Sequence, residues 1–109
     1  MKTHIKNSDV PLEDVAWGMT RQIMGYDTNI MVVRVFFKKD AIGAEHAHLH
    51  QQVSYVEKGM FEVNIAGKKE ILKAGDAFVV PSEALHGAVC LEDGILIDTF
   101  SPMRKDFIK

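Results

Sequence analysis

The stretch "HAHLHQQVSYVEKG", His46–Gly59, sets three histidines in five positions and then runs on with the alternation of a strand. Residues two apart on a strand share a face. His46 and His48 are therefore expected to project together, with Gln52 returning to that face. His86, which opens "HGAVC", supplies a third imidazole. Three imidazoles and one amide oxygen make a good divalent transition-metal site. Imidazole suits zinc, nickel, copper or iron, so the ligand types do not choose the metal. A lone histidine on an apolar strand is more often a packed or surface residue, and His4 and His50 read that way.

Outward from this stretch the pattern is almost entirely β. "IMVVRVFFKKD" (30–40) is rich in β-branched and aromatic residues and breaks at Asp40 and Gly43. "QVSYVEKG" is expected to end in a tight turn at Lys58-Gly59. "MFEVNI" alternates as a half-buried strand, and Ala66-Gly67 reads as a two-residue hairpin loop into "KKEIL". Gly75-Asp76 marks a turn, "AFVV" a strand and Pro81 a break. "HGAVC" and "GILIDTF" read as two further strands, and "VAWGMTRQIM" as an upstream one. About eight short strands punctuated by turns predict an all-β, closed or sandwiched antiparallel sheet.

At 109 residues the chain fits a single domain, 1–109. The core is expected over about 30–100, with an N-terminal strand or arm at 1–29 and a tail at 101–109. A net charge of −2 without a basic stripe argues against nucleic acid as a partner. No apolar run approaches the ~20 residues of a spanning helix, which argues against a membrane role. "MKTHIKNSDV" has no apolar signal region, and Cys90 is the single cysteine. Together these predict a cytoplasmic protein.

"HAHLHQQVSYVEKG" and "GDAFVVPSEALH" together resemble the two motifs of the cupin superfamily. His46-x-His48, three residues, Gln52 and six residues to Gly59 reproduce the first motif, with Gln in the Glu place. Gly75, five residues, Pro81 and then His86 reproduce the second. Three positions depart from the motifs: Gly43 lies too near His46, Glu83 stands for a glycine, and Cys90 stands for an asparagine. The resemblance implies a jelly-roll type β-barrel that binds a divalent metal (Ni, Zn, Fe or Mn) through His46, His48, Gln52 and His86. "GILIDTFSPMRKDF" (94–107) and the H-x-H-x-H-x-Q run further resemble the KdgF family of pectin-degradation cupins. That family converts 4,5-unsaturated monouronates, released by pectate and alginate lyases, into linear keto forms. The resemblance implies Asp98, Phe100 and Arg104 as catalytic residues, a small-molecule uronate substrate, and a homodimer.

The residues themselves bear on this chemistry. Leu96, Asp98 and Phe100 share one face of the last strand, and a carboxylate there is expensive to bury unpartnered. A wet cavity, a bond to a cation such as Arg104, or an edge facing solvent would each accommodate it. Opening an unsaturated uronate needs a proton carrier, a clamp for the carboxylate and stabilisation of enolate charge. Asp98, Arg104 and a metal suit these roles, with Phe100 as a wall for the sugar. Gln52 leaves a divalent centre at net +2, where Glu would leave +1, and so favours Lewis-acid over redox chemistry. The rival readings are an oxygen-dependent cupin dioxygenase and a non-catalytic ligand-binding cupin. Cys90 reads as a small core residue. Trp17 and Met19, Met24, Met31 and Met60 read as core or interface filler. Arg21 and Arg34 could reach the cavity, although exposed strand cations are commoner.

Overall fold

The computed structural model describes residues 1–108. Eight strands follow in order: β1 Glu13–Ala16, β2 Met19–Asp27, β3 Ile30–Phe37, β4 Ile42–His46, β5 Gln51–Ile65, β6 Lys68–Lys73, β7 Ala77–Val80 and β8 His86–Ser101. Two short 3-10 turns, Asn7–Asp9 and Lys105–Phe107, are the helical elements among the described residues. Neither is long and apolar enough to cross a membrane.

Burial alternates along the strands as a pleated backbone requires. In β3, Met31, Val33, Val35 and Phe37 are buried while the residues between them look outward. All pairings are antiparallel, in the order β1-β2-β3-β8-β5-β6, with β4 added on β8 and β7 on β5. The long strands β5 and β8 pair twice. The start of β5 meets the end of β8 in one leaf, and the end of β5 meets the start of β8 in the other. Two leaves thus face each other as a jelly-roll type barrel, and the sheet is not closed into a continuous ring. Phe61, Met31, Val33, Val56, Val80 and Cys90 fill the space between them, and Phe37 meets Phe61 edge-to-face at 5.0 Å. Burying side chains of this size contributes roughly 1.5–3 kcal/mol each.

Lys58-Gly59 is not a turn between strands. It is an irregularity inside β5, where the paired strands bend from one leaf into the other. "HGAVC" and "GILIDTF" are likewise one strand, β8, that continues through the same corner. The corner is tight. Gly59 has φ +86°, and a Cβ on Gly94 would stand 2.6 Å from the Lys58 carbonyl oxygen and 2.7 Å from the Phe61 ring. The Ala66-Gly67 hairpin has the expected form, with φ of 51° and 86°.

Residues 1–29 are more than an arm. β2 pairs along its whole length with β3, and Gln22 on it is buried beneath the N-terminal segment, which it meets at Asn7 and the Val10 carbonyl. Trp17 is 71% exposed and packs in no core; it tips the β1–β2 connection. Met31 is in the core, and Met19 packs against it.

Candidate metal centre and cavity

His46 ends β4, directly opposite His86 at the start of β8, and the two ring centroids lie 4.3 Å apart. His48 does not share a strand with His46. It lies in the loop between β4 and β5, so strand parity is not what brings the two rings together. The loop is anchored from across the barrel mouth. The Glu83 amide donates to the His48 carbonyl at 2.8 Å, and the Ser82 hydroxyl donates to the Leu49 carbonyl at 2.5 Å. Glu83, where the cupin motif has glycine, holds φ at 67°, the left-handed conformation that glycine adopts freely.

One ring nitrogen from each of His46, His48 and His86 lies within 4.8 Å of the others. The chemistry of these rings fits a cation. Each Nδ1 faces a backbone carbonyl: Ala44 at 2.9 Å, His50 at 2.8 Å and Ala84 at 2.9 Å. A neutral ring that donates there keeps its lone pair on Nε2, the tautomer a metal ligand requires. Nε2 of His86 is buried without a hydrogen-bond partner. Nε2 of His48 faces the Gln52 amide oxygen at 3.2 Å, lone pair against lone pair unless a cation or a proton lies between. Burial holds the His48 pKa below its ordinary value, with the Arg104 charge adding to the effect, and this disfavours the proton. Burial also lowers that of His86. His50 stands beside the cluster, its ring 5.5 Å from that of His48, and supplies no nitrogen to it.

Gln52 lies on β5 opposite Phe100 of β8, and Ser54 lies opposite Asp98. The inward side of this ladder carries a polar relay through an otherwise apolar interior. Gln52 Nε2 donates to Ser54 Oγ at 2.9 Å, and Ser54 donates to Asp98 Oδ1 at 2.6 Å. Of the three environments open to Asp98, the structure gives the cavity, with Ser54 rather than Arg104 as hydrogen-bond partner. Asp98 is half-buried and lines the cavity. Burial pushes its pKa up to about 6, against opposing pulls from Ser54, Arg104 and His46.

A cavity of about 420 Å³ opens between the leaves, and His46, Gln52, His86, Asp98, Phe100 and Arg104 all line it. That volume is within the range of small-molecule sites, ~300–1,000 Å³. Phe100 stands edge-on to His48 at 5.9 Å. Arg104 lies over the Phe100 and Phe107 rings at 5.1 and 4.3 Å, and Asp106 holds its Nε and one terminal nitrogen at 3.1 and 2.8 Å. Those bonds hold the Asp106 carboxyl below the usual range. The other terminal nitrogen is free of this pair.

Phe107 and Ser54 belong to the site although the sequence did not mark them, and of the two arginines able to reach the cavity one does. Arg21 lines the cavity and stacks on Phe107 at 4.0 Å, whereas Arg34 faces outward and pairs with Glu57 at 2.7 Å. Ser54 was legible by parity, two positions from Gln52. Phe107 lies in the tail, where no periodicity points inward. Cys90 is a core residue, its thiol donating to the Glu92 carbonyl at 2.9 Å.

Residues 33–98 match the family model for the cupin domain. The pectin degradation protein KdgF of Dickeya dadantii (strain 3937) is 44% identical over 99% of this chain and 100% of its own length. The solved structure of KdgF from Halomonas sp. superposes with a TM-score of 0.94 at 41% identity, covering 99% of this chain and 100% of that one. An RmlC-like cupin from Shewanella frigidimarina NCIMB 400 gives 0.94 at 47%, covering 98% and 97%. Identity of this order, sustained end to end on one fold, is kinship rather than shared architecture: this chain belongs to the cupin superfamily, as a member of the KdgF family.

Proposed function

We propose that this protein is a metal-dependent, isomerase-like enzyme that converts 4,5-unsaturated monouronates into linear keto-uronates, a step in pectin or alginate breakdown. The observation that carries the reading is Asp98: a carboxyl with a pKa of about 6 inside the cavity that also holds the imidazole cluster, in a KdgF-family chain. His46, His48, His86 and Gln52 would hold the metal. When bound, the metal supplies Lewis-acid polarisation of substrate oxygens.

The chain's own residues account for the remaining needs. In the reaction the bond from C1 to the ring oxygen breaks, the C1 hydroxyl loses its proton to give an aldehyde, and C5 is left as an enol. A proton then adds at C4, and the C5 hydroxyl becomes a ketone, so no atoms are gained or lost overall. Asp98, able to hold or release a proton near neutral pH, is the proton carrier. Arg104 anchors the substrate carboxylate through its free terminal nitrogen, and the Asp106 pair fixes the guanidinium plane. Phe100 and Phe107 form the apolar wall that keeps Arg104 over the cavity.

The test is to incubate metal-loaded protein anaerobically with a lyase-generated unsaturated monouronate and follow its conjugated absorbance. Decay faster than the spontaneous reaction is expected. A strict oxygen requirement favours a dioxygenase, and binding without decay favours a non-catalytic cupin; either outcome overturns the proposal.

A homodimer belongs to the same reading. Val53, Tyr55 and Val79 stand side by side on the outer face of β5 and β7, each about half or more exposed, an apolar patch suited to a second copy. Sedimentation velocity is expected to give the dimer mass; a monomer at micromolar concentration counts against it. A reducing, cytoplasmic setting suits the single buried thiol.

A further inference from the structure

We propose that Ser54 is a positioning residue that decides which end of the Gln52 amide faces the histidines. The inference rests on the reading of Gln52 as a metal ligand and concerns how this chain holds a glutamine where the cupin motif has glutamate.

The two ends of a side-chain amide are nearly the same size, and only their hydrogen bonds tell them apart. A carboxylate has no such difficulty, because either oxygen serves as ligand. A glutamine ligand must be turned so that the oxygen, and not the NH2, meets the cation. Ser54 is fully buried, so no bulk water shares its hydroxyl. Its one proton is directed to Asp98 Oδ1 at 2.6 Å, since an ionised carboxylate accepts and does not donate. The exposed lone pair of Oγ then faces Gln52 at 2.9 Å, and an N–H satisfies it. The amide oxygen is left pointing at His48 Nε2, 3.2 Å away. Reversing the amide sets two oxygens together with no proton between them and turns an NH2 toward the cation. The β5–β8 register fixes the arrangement, because Ser54 and Asp98 are direct cross-strand partners and Gln52 precedes Ser54 by two positions, opposite Phe100.

A double-mutant cycle in mildly alkaline buffer tests this, with nickel(II) binding measured by calorimetry on wild type, Ser54→Ala, Gln52→Glu and the double variant. Thermal unfolding of each metal-free form reports the fold. Ser54→Ala is expected to weaken nickel binding about 10- to 100-fold, the range for residues that orient metal ligands. In the Gln52→Glu background the same change is expected to alter binding by less than about twofold, the margin of additivity. Unaltered affinity in Ser54→Ala overturns the proposal. So does an equal loss in both backgrounds, because that is the signature of general packing damage. Ser54→Cys keeps the shape but accepts hydrogen bonds weakly, and it carries the same expectation should S54A fail to fold. Gln52→Ala separates the two layers. Wild-type affinity there removes Gln52 as a ligand and the proposal with it, whereas weakened binding there beside an unaltered Ser54→Ala overturns the role of Ser54 alone.

Discussion

Asp98→Asn is expected to lower turnover of the unsaturated monouronate roughly 100- to 10,000-fold, the range for a positioned acid/base, while making the metal-free protein more stable above pH 6. The two effects share one cause. Burial raises the Asp98 pKa from 3.8 to about 6, which suits proton transfer near neutrality and penalises the charged form in the fold. The sign follows from proton counts. Below pH 4 the group is protonated in folded and unfolded chains alike and contributes nothing. Between about 4 and 6 the folded chain keeps a proton that the unfolded chain has released, so stability falls as pH rises. Above 6 the full penalty is present, on the order of 3 kcal/mol. Asparagine removes the charge and keeps an oxygen for Ser54 to donate to. Urea unfolding of chelator-treated protein is expected to show the variant 1–3 kcal/mol more stable than wild type at pH 7 and equal to it below pH 4, on the order of magnitude that linkage gives. Matching pH slopes in the two proteins count against the buried charge. Wild-type turnover with metal bound removes Asp98 from the chemistry.

His86→Ala is expected to abolish metal-dependent stabilisation. A ligand that binds only the folded state, at a hundredfold excess over its Kd, adds about 2.7 kcal/mol to wild-type stability. That gain requires the imidazoles to converge, and His86 is the buried member, whose Nε2 has no other partner in the protein. Thermal scans with and without nickel or zinc measure it directly. The lowered pKa values of His48 and His86 add a pH signature. Protons compete for these nitrogens only below the ordinary imidazole range, so the thermal shift persists into mildly acidic buffer and fades as pH falls further. A shift retained in His86→Ala places the metal elsewhere, and no shift in wild type removes the metal altogether.

Most of the fold is legible in local pattern. The second half of β5 alternates because one face is sealed between the leaves and the other is not, and β3 and the end of β8 show in their β-branched and aromatic content. The corner is not legible in this way. Gly59 looks like a turn residue in a linear reading and Gly94 like the start of a separate strand, yet both serve a bend inside two continuous strands. What demands glycine there is a backbone belonging to the other strand, in contacts between residues far apart in sequence. Trp17, read as core or interface filler, lies outside the core, since hydrophobicity alone says nothing about whether a packing surface lies within reach.

The site divides along the same line. The chain alone marked His46, His48, Gln52 and His86 as a candidate ligand set, through spacing that resembles the cupin motifs, and marked Asp98 as a carboxylate out of place on an apolar face. Side-chain type and periodicity carry that information. Only the tertiary structure decided that His48 reaches the cluster from a loop pinned by Ser82 and Glu83, that Asp98 bonds Ser54 rather than Arg104, and that Arg104 is held by Asp106. Hydrogen bonds are directional and short, so which donor meets which acceptor depends on strand register, and register is set by the packing of the whole barrel.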